Sequence, residues 1–324
     1  MGRGVLLALV LVLAAVGSAQ AQTARSHRIG FLGNSTPALE ANLIGPFRDG
    51  LRQLGYIEGV NSHVEYRWAE GDYARFPGLV AELVAAKVEV IVTAGTPAAL
   101  AVKTTAPATP LVMVAVGDPV GTGLVQSLSR PGVNATGLSS IAPDMEGKRL
   151  QLLRELLPKL SRVGILRNPA NPFHIGSSDQ AREAAQAMGI KLEFIAARST
   201  GELADAFGAI QKGRPDALVV FADRVFLHNR RRISDFALEQ RLPTAVTHQE
   251  LVESGSLLSF GANYPDMHRR AAAYVDKILK GAKAAELPIE QPTSFELVIN
   301  LKTAKAFGMP IPAAVLLRAN RVIE

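Results

Sequence analysis

Several residues of this chain stand where they could hold a small charged molecule. Gly95-Thr96-Pro97 ends an apolar run and opens a helical pattern. The glycine lets a ligand approach the backbone. The free N–H groups of a helix start, with the helix dipole behind them, favour an anion such as a carboxylate. The same tripeptide also reads as an ordinary helix start, with Thr96 as cap and Pro97 at the first position. Asp118 and Asp223 could each take an ammonium or accept from hydroxyls. Each could equally hold a turn, Asp118 before Pro119 and Asp223 with Arg224 as a neutralising neighbour. Asn34, Ser35 and Thr36 offer an amide and two hydroxyls, Asn168 and Asn171 offer amides beside prolines, and Tyr264 offers an apolar wall. Trp68 reads better as packing than as a stacking surface.

Catalytic constellations are missing. No Gly-x-Ser-x-Gly forms a strand-to-helix elbow, and no phosphate loop or clean Gly-x-Gly-x-x-Gly is present. The six histidines, at 27, 63, 174, 228, 248 and 268, include no pair at metal-ligand spacing on one helix. His174 and His248 fall near plausible cleft loops, where a lone histidine is usually structural. Cysteine is absent, which excludes disulfides, thiol catalysis and the lipid-carrying cysteine of a lipoprotein. Neither a metal nor a cofactor is expected.

The elements that must position these residues alternate. Two stretches open similar βαβ units: Arg28-Ile29-Gly30-Phe31-Leu32-Gly33-Asn34 and Arg162-Val163-Gly164-Ile165-Leu166-Arg167-Asn168. The first leads to a helix at 47–55 and a strand at 64–66. The second leads to a helix at 180–189 and a strand at 192–194. Further strands are expected at 88–92, 111–116, 217–221 and 243–246, with helices at 202–211 and 229–240 and another starting at Asp144. Gly189 and Gly213 stand where helix C-caps belong. Continuous apolar strands separated by helices predict α/β architecture: two doubly wound lobes, each a parallel sheet covered on both faces. The tail departs from simple alternation, with strands at 256–260 and 295–300 and helices at 266–280 and 301–307, so the chain crosses between lobes more than once. Ligands in such sheets bind beyond the carboxyl ends of the strands. That rule selects the loops holding residues 34–36, 93–97, 117–119, 168–173 and 222–224.

Composition agrees. The 324 residues are 48% hydrophobic, enough for two cores, and carry a net charge of +6 without a basic block interleaved with aromatics. The run Arg230-Arg231-Arg232 reads as a solvated helix face rather than a nucleic-acid patch. Arg3, the apolar stretch 5–16 and Ala19-Gln20-Ala21 predict a signal peptide over residues 1–21.

Longer motifs carry a resemblance. They are Glu65-Tyr66-Arg67-Trp68-Ala69-Glu70-Gly71, the run from Gly117-Asp118-Pro119 to Val125, and Arg130-Pro131-Gly132-Val133-Asn134-Ala135-Thr136-Gly137. Later come the stretch from Ala273 to Gly281 and the stretch from Phe295 to Ala304. Together they resemble the ABC-transporter substrate-binding family that includes tryptophan- and other aromatic-amino-acid-binding proteins. The resemblance runs from Arg28 to Glu324. It implies a type I periplasmic-binding-protein fold with a multi-crossover hinge, its lobes spanning 28–139 with about 262–284 and 140–261 with about 285–324. It implies a monomeric periplasmic receptor, not an enzyme, that hands a small solute to an ABC permease of the inner membrane and binds no nucleic acid. The solute class would be an amino acid or related carboxylate, aromatic ones included. The family's cleft loops match Asn34-Ser35-Thr36, Gly95-Thr96-Pro97, Asp118 and Asn168. Ser254-Gly255-Ser256-Leu257 departs from the pattern, since many relatives have a Gly-Gly pair there. Two other classes keep a place here: a sensory ligand-binding protein feeding a signalling partner, and an exported α/β enzyme. A repressor built on such lobes would need an N-terminal helix-turn-helix.

Overall fold

A computed structural model describes residues 26–140 and 145–324. The signal peptide expected at 1–21 and the helix start expected at Asp144 lie outside them.

The first half builds a five-stranded parallel sheet. β1 (His27–Gly33), β2 (Ser62–Trp68), β3 (Val90–Ala94), β4 (Leu111–Val116) and β5 (Ala135–Ser139) lie in the order β2-β1-β3-β4-β5. The β3 and β4 side chains are buried throughout, as strands covered on both faces must be. Between the strands run α1 (Ala41–Gln53), α2 (Phe76–Ala85) and α3 (Thr96–Thr105). α1 starts earlier than the sequence pattern suggested, because Pro46, a residue expected to stop a helix, lies inside it. Its buried stripe of Leu43, Ile44, Phe47, Gly50 and Leu51 follows helical spacing and fixes the face that meets the sheet.

The second half builds a seven-stranded sheet in the order β12-β11-β10-β9-β8-β6-β7. Its strands are β6 (Arg162–Arg167), β7 (Lys191–Ala196), β8 (Ala217–Val220), β9 (Thr244–Val246), β10 (Leu258–Gly261), β11 (Glu296–Asn300) and β12 (Arg321–Ile323). The helices on it include α4 (Met145–Leu156), α5 (Phe173–Met188), α6 (Leu203–Gly213), α7 (Arg224–His228), α8 (Arg230–Glu239) and α9 (Gln249–Glu253). Gly189 caps α5 in the left-handed region at φ 67°. After α6 that role falls to Arg214, at φ 47°, and not to Gly213. β10 and β11 pair antiparallel, the one break in an otherwise parallel sheet.

The tail crosses twice. α10 (Tyr264–Leu279) leaves the second sheet and packs on the first: Met267, Ala271, Ala272 and Val275 share one core with Ile29, Phe31 and Phe47. Residues 284–290 stay there too. Ala284 and Ile289 are buried in the first lobe's cores, and Glu290 bridges to Leu138. The return therefore falls after Glu290 rather than near residue 284, because burying Ile289 holds the segment to the first sheet. Among the described residues, two segments pass between the halves, one ahead of α10 and one after Glu290. No helix among the described residues is long and apolar enough to cross a membrane.

α10 and α1 lie so close that a Cβ at Gly50 would stand 2.4 Å from the Arg269 carbonyl oxygen and 2.9 Å from the Ala272 Cβ. Alanine in a helix interior normally gains about 0.5–1 kcal/mol over glycine. Here overpacking outweighs that gain, so Gly50→Ala is expected to cost about 1–3 kcal/mol. Urea denaturation followed by circular dichroism measures it, and a variant as stable as the parent contradicts the packing.

Candidate functional site: the cleft between the lobes

The strand-end loops of the two halves meet. A narrow cavity is lined from the first half by Tyr73, Gly95, Thr96, Pro97, Ala115 and Gly117. From the second half it is lined by Asn171, Phe173, Ala222, Asp223, Arg224 and His248, with Tyr264 at the crossing. A β-bulge between Met113 and Val116 accompanies the exposure of Ala115 to this space; that residue sits at φ 51°. A second narrow cavity shares Ser140, Phe173, Ala222 and Tyr264 with the first.

Asp223 organises the floor. Its Oδ1 accepts from the Tyr73 hydroxyl at 2.9 Å, the Asn168 amide at 3.1 Å and the Val225 N–H at 3.0 Å, the last as the N-cap of α7. Its Oδ2 accepts from Asn171 at 2.9 Å. The Tyr73 phenol also receives the Arg224 N–H at 3.3 Å. Burial and then the Asp223 charge hold the Tyr73 pKa well above the usual tyrosine value, so the hydroxyl remains a donor.

Arg224 is only 4% exposed. No carboxylate among the described residues lies within ion-pair distance of its guanidinium, whose Cζ is 5.7 Å from the Tyr264 ring centroid. Its side chain runs beside Gly95, where a Cβ would meet the Arg224 Cγ and Nε at 3.3 Å. Gly95 also sits at φ 84°, so glycine is required both for backbone conformation and for space. Gly95 is the N-cap of α3 and no side chain caps that helix. Thr96, expected as the cap, instead turns its hydroxyl to the Gly117 carbonyl at 3.1 Å. A buried guanidinium and an uncapped helix start thus face one space. Glu40 is another buried charge nearby. It accepts the N–H groups of Asn34 and Ser35 at 2.9 and 2.6 Å, and burial raises its pKa against the pull of Arg224 and Arg230.

Gly95, Thr96, Pro97, Asn171, Asp223 and Tyr264 are therefore brought together around the cavity. The other expected contacts are not. The Asp118 carboxylate accepts the Gly121 N–H at 2.8 Å and so closes its own turn. The Thr36 hydroxyl accepts the Leu39 N–H. Ser35 bonds His228 Nδ1 across the lobes at 2.7 Å. Asn34 is buried and donates to the Ala94 carbonyl, and Asn168 is buried beneath Asp223. His174 is structural: it accepts the Asn168 N–H and donates to the Ala222 carbonyl. Trp68 stacks on Tyr66 within the first core's rim. The loop rule did not reach Tyr73 or Ser140, and Phe173 was covered only as the end of a loop; nothing in their spacing marks them. Arg224 was visible only as a neighbour of Asp223.

A family model described as ABC transporter substrate binding protein matches residues 34–323, and the chain belongs to that family. A tyrosine-binding protein of Clostridioides difficile is 27% identical over 264 residues, covering 81% of this chain and 75% of the relative. Among solved structures, a Streptococcus pneumonia ABC domain in complex with L-Trp is 27% identical, with a TM-score of 0.85 over 92% of this chain and all of that one. A conserved domain protein of Vibrio cholerae is 30% identical, with a TM-score of 0.85 over 91% of this chain and 99% of that one. The architecture is that of type I periplasmic binding proteins. The protein is a solute receptor of the kind that serves an ABC importer, from a family of solute-binding proteins rather than enzymes.

Around the cleft His248 and His268 are held neutral. Burial disfavours the imidazolium, and the Arg224 charge adds to it; His268 falls to about 3. Burial lowers His228 as well. In the unfolded chain each titrates near 6.5, so below that pH the unfolded state takes up protons that the folded state refuses. Stability is full above about pH 6.5 and is lost on acidification, the buried His248 and His268 each contributing roughly 1.4 kcal/mol per pH unit. Glu40 opposes this with a single raised carboxyl. The melting temperature is expected to fall from pH 7 to pH 5, with a shallower fall in His268→Gln. A melting temperature constant over that range contradicts it.

Proposed function

We propose that this chain captures an α-amino acid in the cleft and delivers it to an ABC permease. One observation carries the reading: Arg224 is a buried cation without a carboxylate partner, set against the start of α3. Buried charges are normally paired, because desolvation costs far more than an isolated ion recovers. A carboxylate supplied by the solute completes the pair and also meets the first-turn N–H groups of α3. The solute's ammonium is assigned to Asp223 Oδ2 and the amide oxygen side of Asn171. Gly95, Thr96 and Pro97 shape the carboxylate end, and Tyr264 and Phe173 form the walls. The relatives that bind tyrosine and L-Trp support this class of solute.

The capture is proposed to work by closure. Residues 27–139 with 264–290, and 145–261 with 296–324, move as two bodies on the segments that connect them. Ligand binds to one lobe and bridges to the other, and expulsion of water strengthens the polar contacts. The closed form is what the permease recognises. The setting proposed for this is the periplasm, reached through cleavage of the leader at 1–21, with a monomeric, non-lipidated receptor that binds no nucleic acid.

A calorimetric screen of amino acids paired with small-angle scattering tests the reading. An amino acid is expected to bind and reduce the radius of gyration. Arg224→Gln is expected to weaken binding by 2–5 kcal/mol, about 30- to 5000-fold, while the variant keeps its circular dichroism spectrum. Binding unchanged by Arg224→Gln, or neutral sugars as the only ligands, contradicts it.

A further inference from the structure

The cavity beyond Tyr264 has a chemistry of its own. Glu146 and Arg149 form an ion pair in its wall, Arg149 Nη1 to Glu146 Oε2 at 2.6 Å, with side chains only 6% and 3% exposed. Arg149 Nε donates to the Phe260 carbonyl at 3.0 Å. The two charges consume each other, so the wall is neutral as a whole. A charged side chain entering here would lose its hydration and find no net counter-charge. Yet the cavity is not apolar. Thr247 lines it, and the Thr247 hydroxyl is buried and has no hydrogen-bond partner. Buried polar atoms rarely stay unpaired. Gln180 presents a further polar side chain on the same lining. On the lining of the first cavity, His248 Nδ1 is likewise buried and unpartnered, its ring 4.5 Å from that of Tyr264.

We propose that this second cavity reads the solute's side chain, and that the side chain it takes is uncharged and ends in a hydroxyl or an amide. The proposal rests on the amino-acid reading above, since it places the zwitterion at Arg224 and Asp223 and sends the side chain past Phe173 and Tyr264. Phe173 and Tyr264 line both cavities, which therefore adjoin. An apolar side chain of equal length would fill the space but displace any water serving Thr247, leaving the hydroxyl unpaired. A site built around hydrogen-bonding groups rejects a ligand lacking the matching group far more strongly than an apolar slot rejects an extra methylene.

The test is titration calorimetry on the mature chain with matched pairs: L-tyrosine against L-phenylalanine, and L-glutamine against L-methionine, with L-glutamate and L-lysine as charged controls. At least one polar member is expected to bind ten-fold or more tighter than its apolar partner and than either charged control. Thr247→Val keeps the volume and removes the hydroxyl. In it, or in Gln180→Leu, that ratio is expected to fall to three-fold or less, the polar member binding more weakly and the apolar member at least as tightly as before. Equal affinities within a pair, preference for the apolar member, a charged control binding tightest, or a ratio preserved in both variants overturns the subsite and leaves the amino-acid reading standing. If none of the six amino acids binds the parent chain, the subsite is overturned, and the amino-acid reading is decided by the wider screen.

Discussion

The carboxylate of Asp223 is the point at which the cleft is assembled. It is buried, and buried carboxylates are tolerated only when hydrogen-bonded. Its partners come from separate parts of the chain: Tyr73 from the first lobe, Asn168 and Asn171 from the loop after β6, and the Val225 N–H at the start of α7. Satisfying one charge thus sets the positions of three loops. It also fixes the backbone of the next residue, Arg224, whose N–H meets the same Tyr73 hydroxyl. The guanidinium that defines the proposed anion end is placed by the carboxylate that defines the proposed ammonium end.

That constraint explains why the cleft needs so few direct contacts between lobes. Ser35 with His228, Asn42 with Glu250 and Tyr73 with Asp223 are hydrogen bonds across the halves. Each contributes on the order of 1 kcal/mol net, too little alone to hold two domains shut. A solute that touches both lobes adds its own differential binding, and only that difference shifts an equilibrium between open and closed forms. The marginal cross-lobe bonds are what such a trap requires, because a cleft sealed by its own contacts would have no use for ligand.

Much of this architecture was legible in the sequence. Continuous apolar runs such as Leu111–Val116 and Val163–Leu166 announced buried parallel strands, and the repeated Arg-x-Gly-x-x-x-Asn stretches marked β1 and β6. β5 and β12 were missed. The first is built of small residues, Ala135–Ser139, and is buried by what packs on it rather than by its own hydrophobicity; the second is three mostly exposed residues. The site was legible only in part. Loop position brought Gly95, Asn171 and Asp223 to notice, but it could not say which polar groups face the cavity and which serve the backbone. Asp118, Thr36 and Asn168 all read as ligand contacts and all turned to local or supporting bonds. Arg224 was read only as a neutralising neighbour of Asp223, because sequence does not display that no carboxylate comes within ion-pair distance of its guanidinium.

The central claim is that opposite charges on one small molecule are held at the two ends of this constellation. Calorimetry with a bound amino acid and its two half-molecules tests it most directly. For L-tyrosine the comparison is with tyramine, which lacks the carboxylate, and 3-(4-hydroxyphenyl)propionate, which lacks the ammonium; if another amino acid binds instead, its own amine and acid take their place. Losing either buried, paired charge is expected to weaken binding by at least 2–3 kcal/mol, about 30- to 160-fold. Either half-molecule binding as tightly as the intact amino acid would contradict the account.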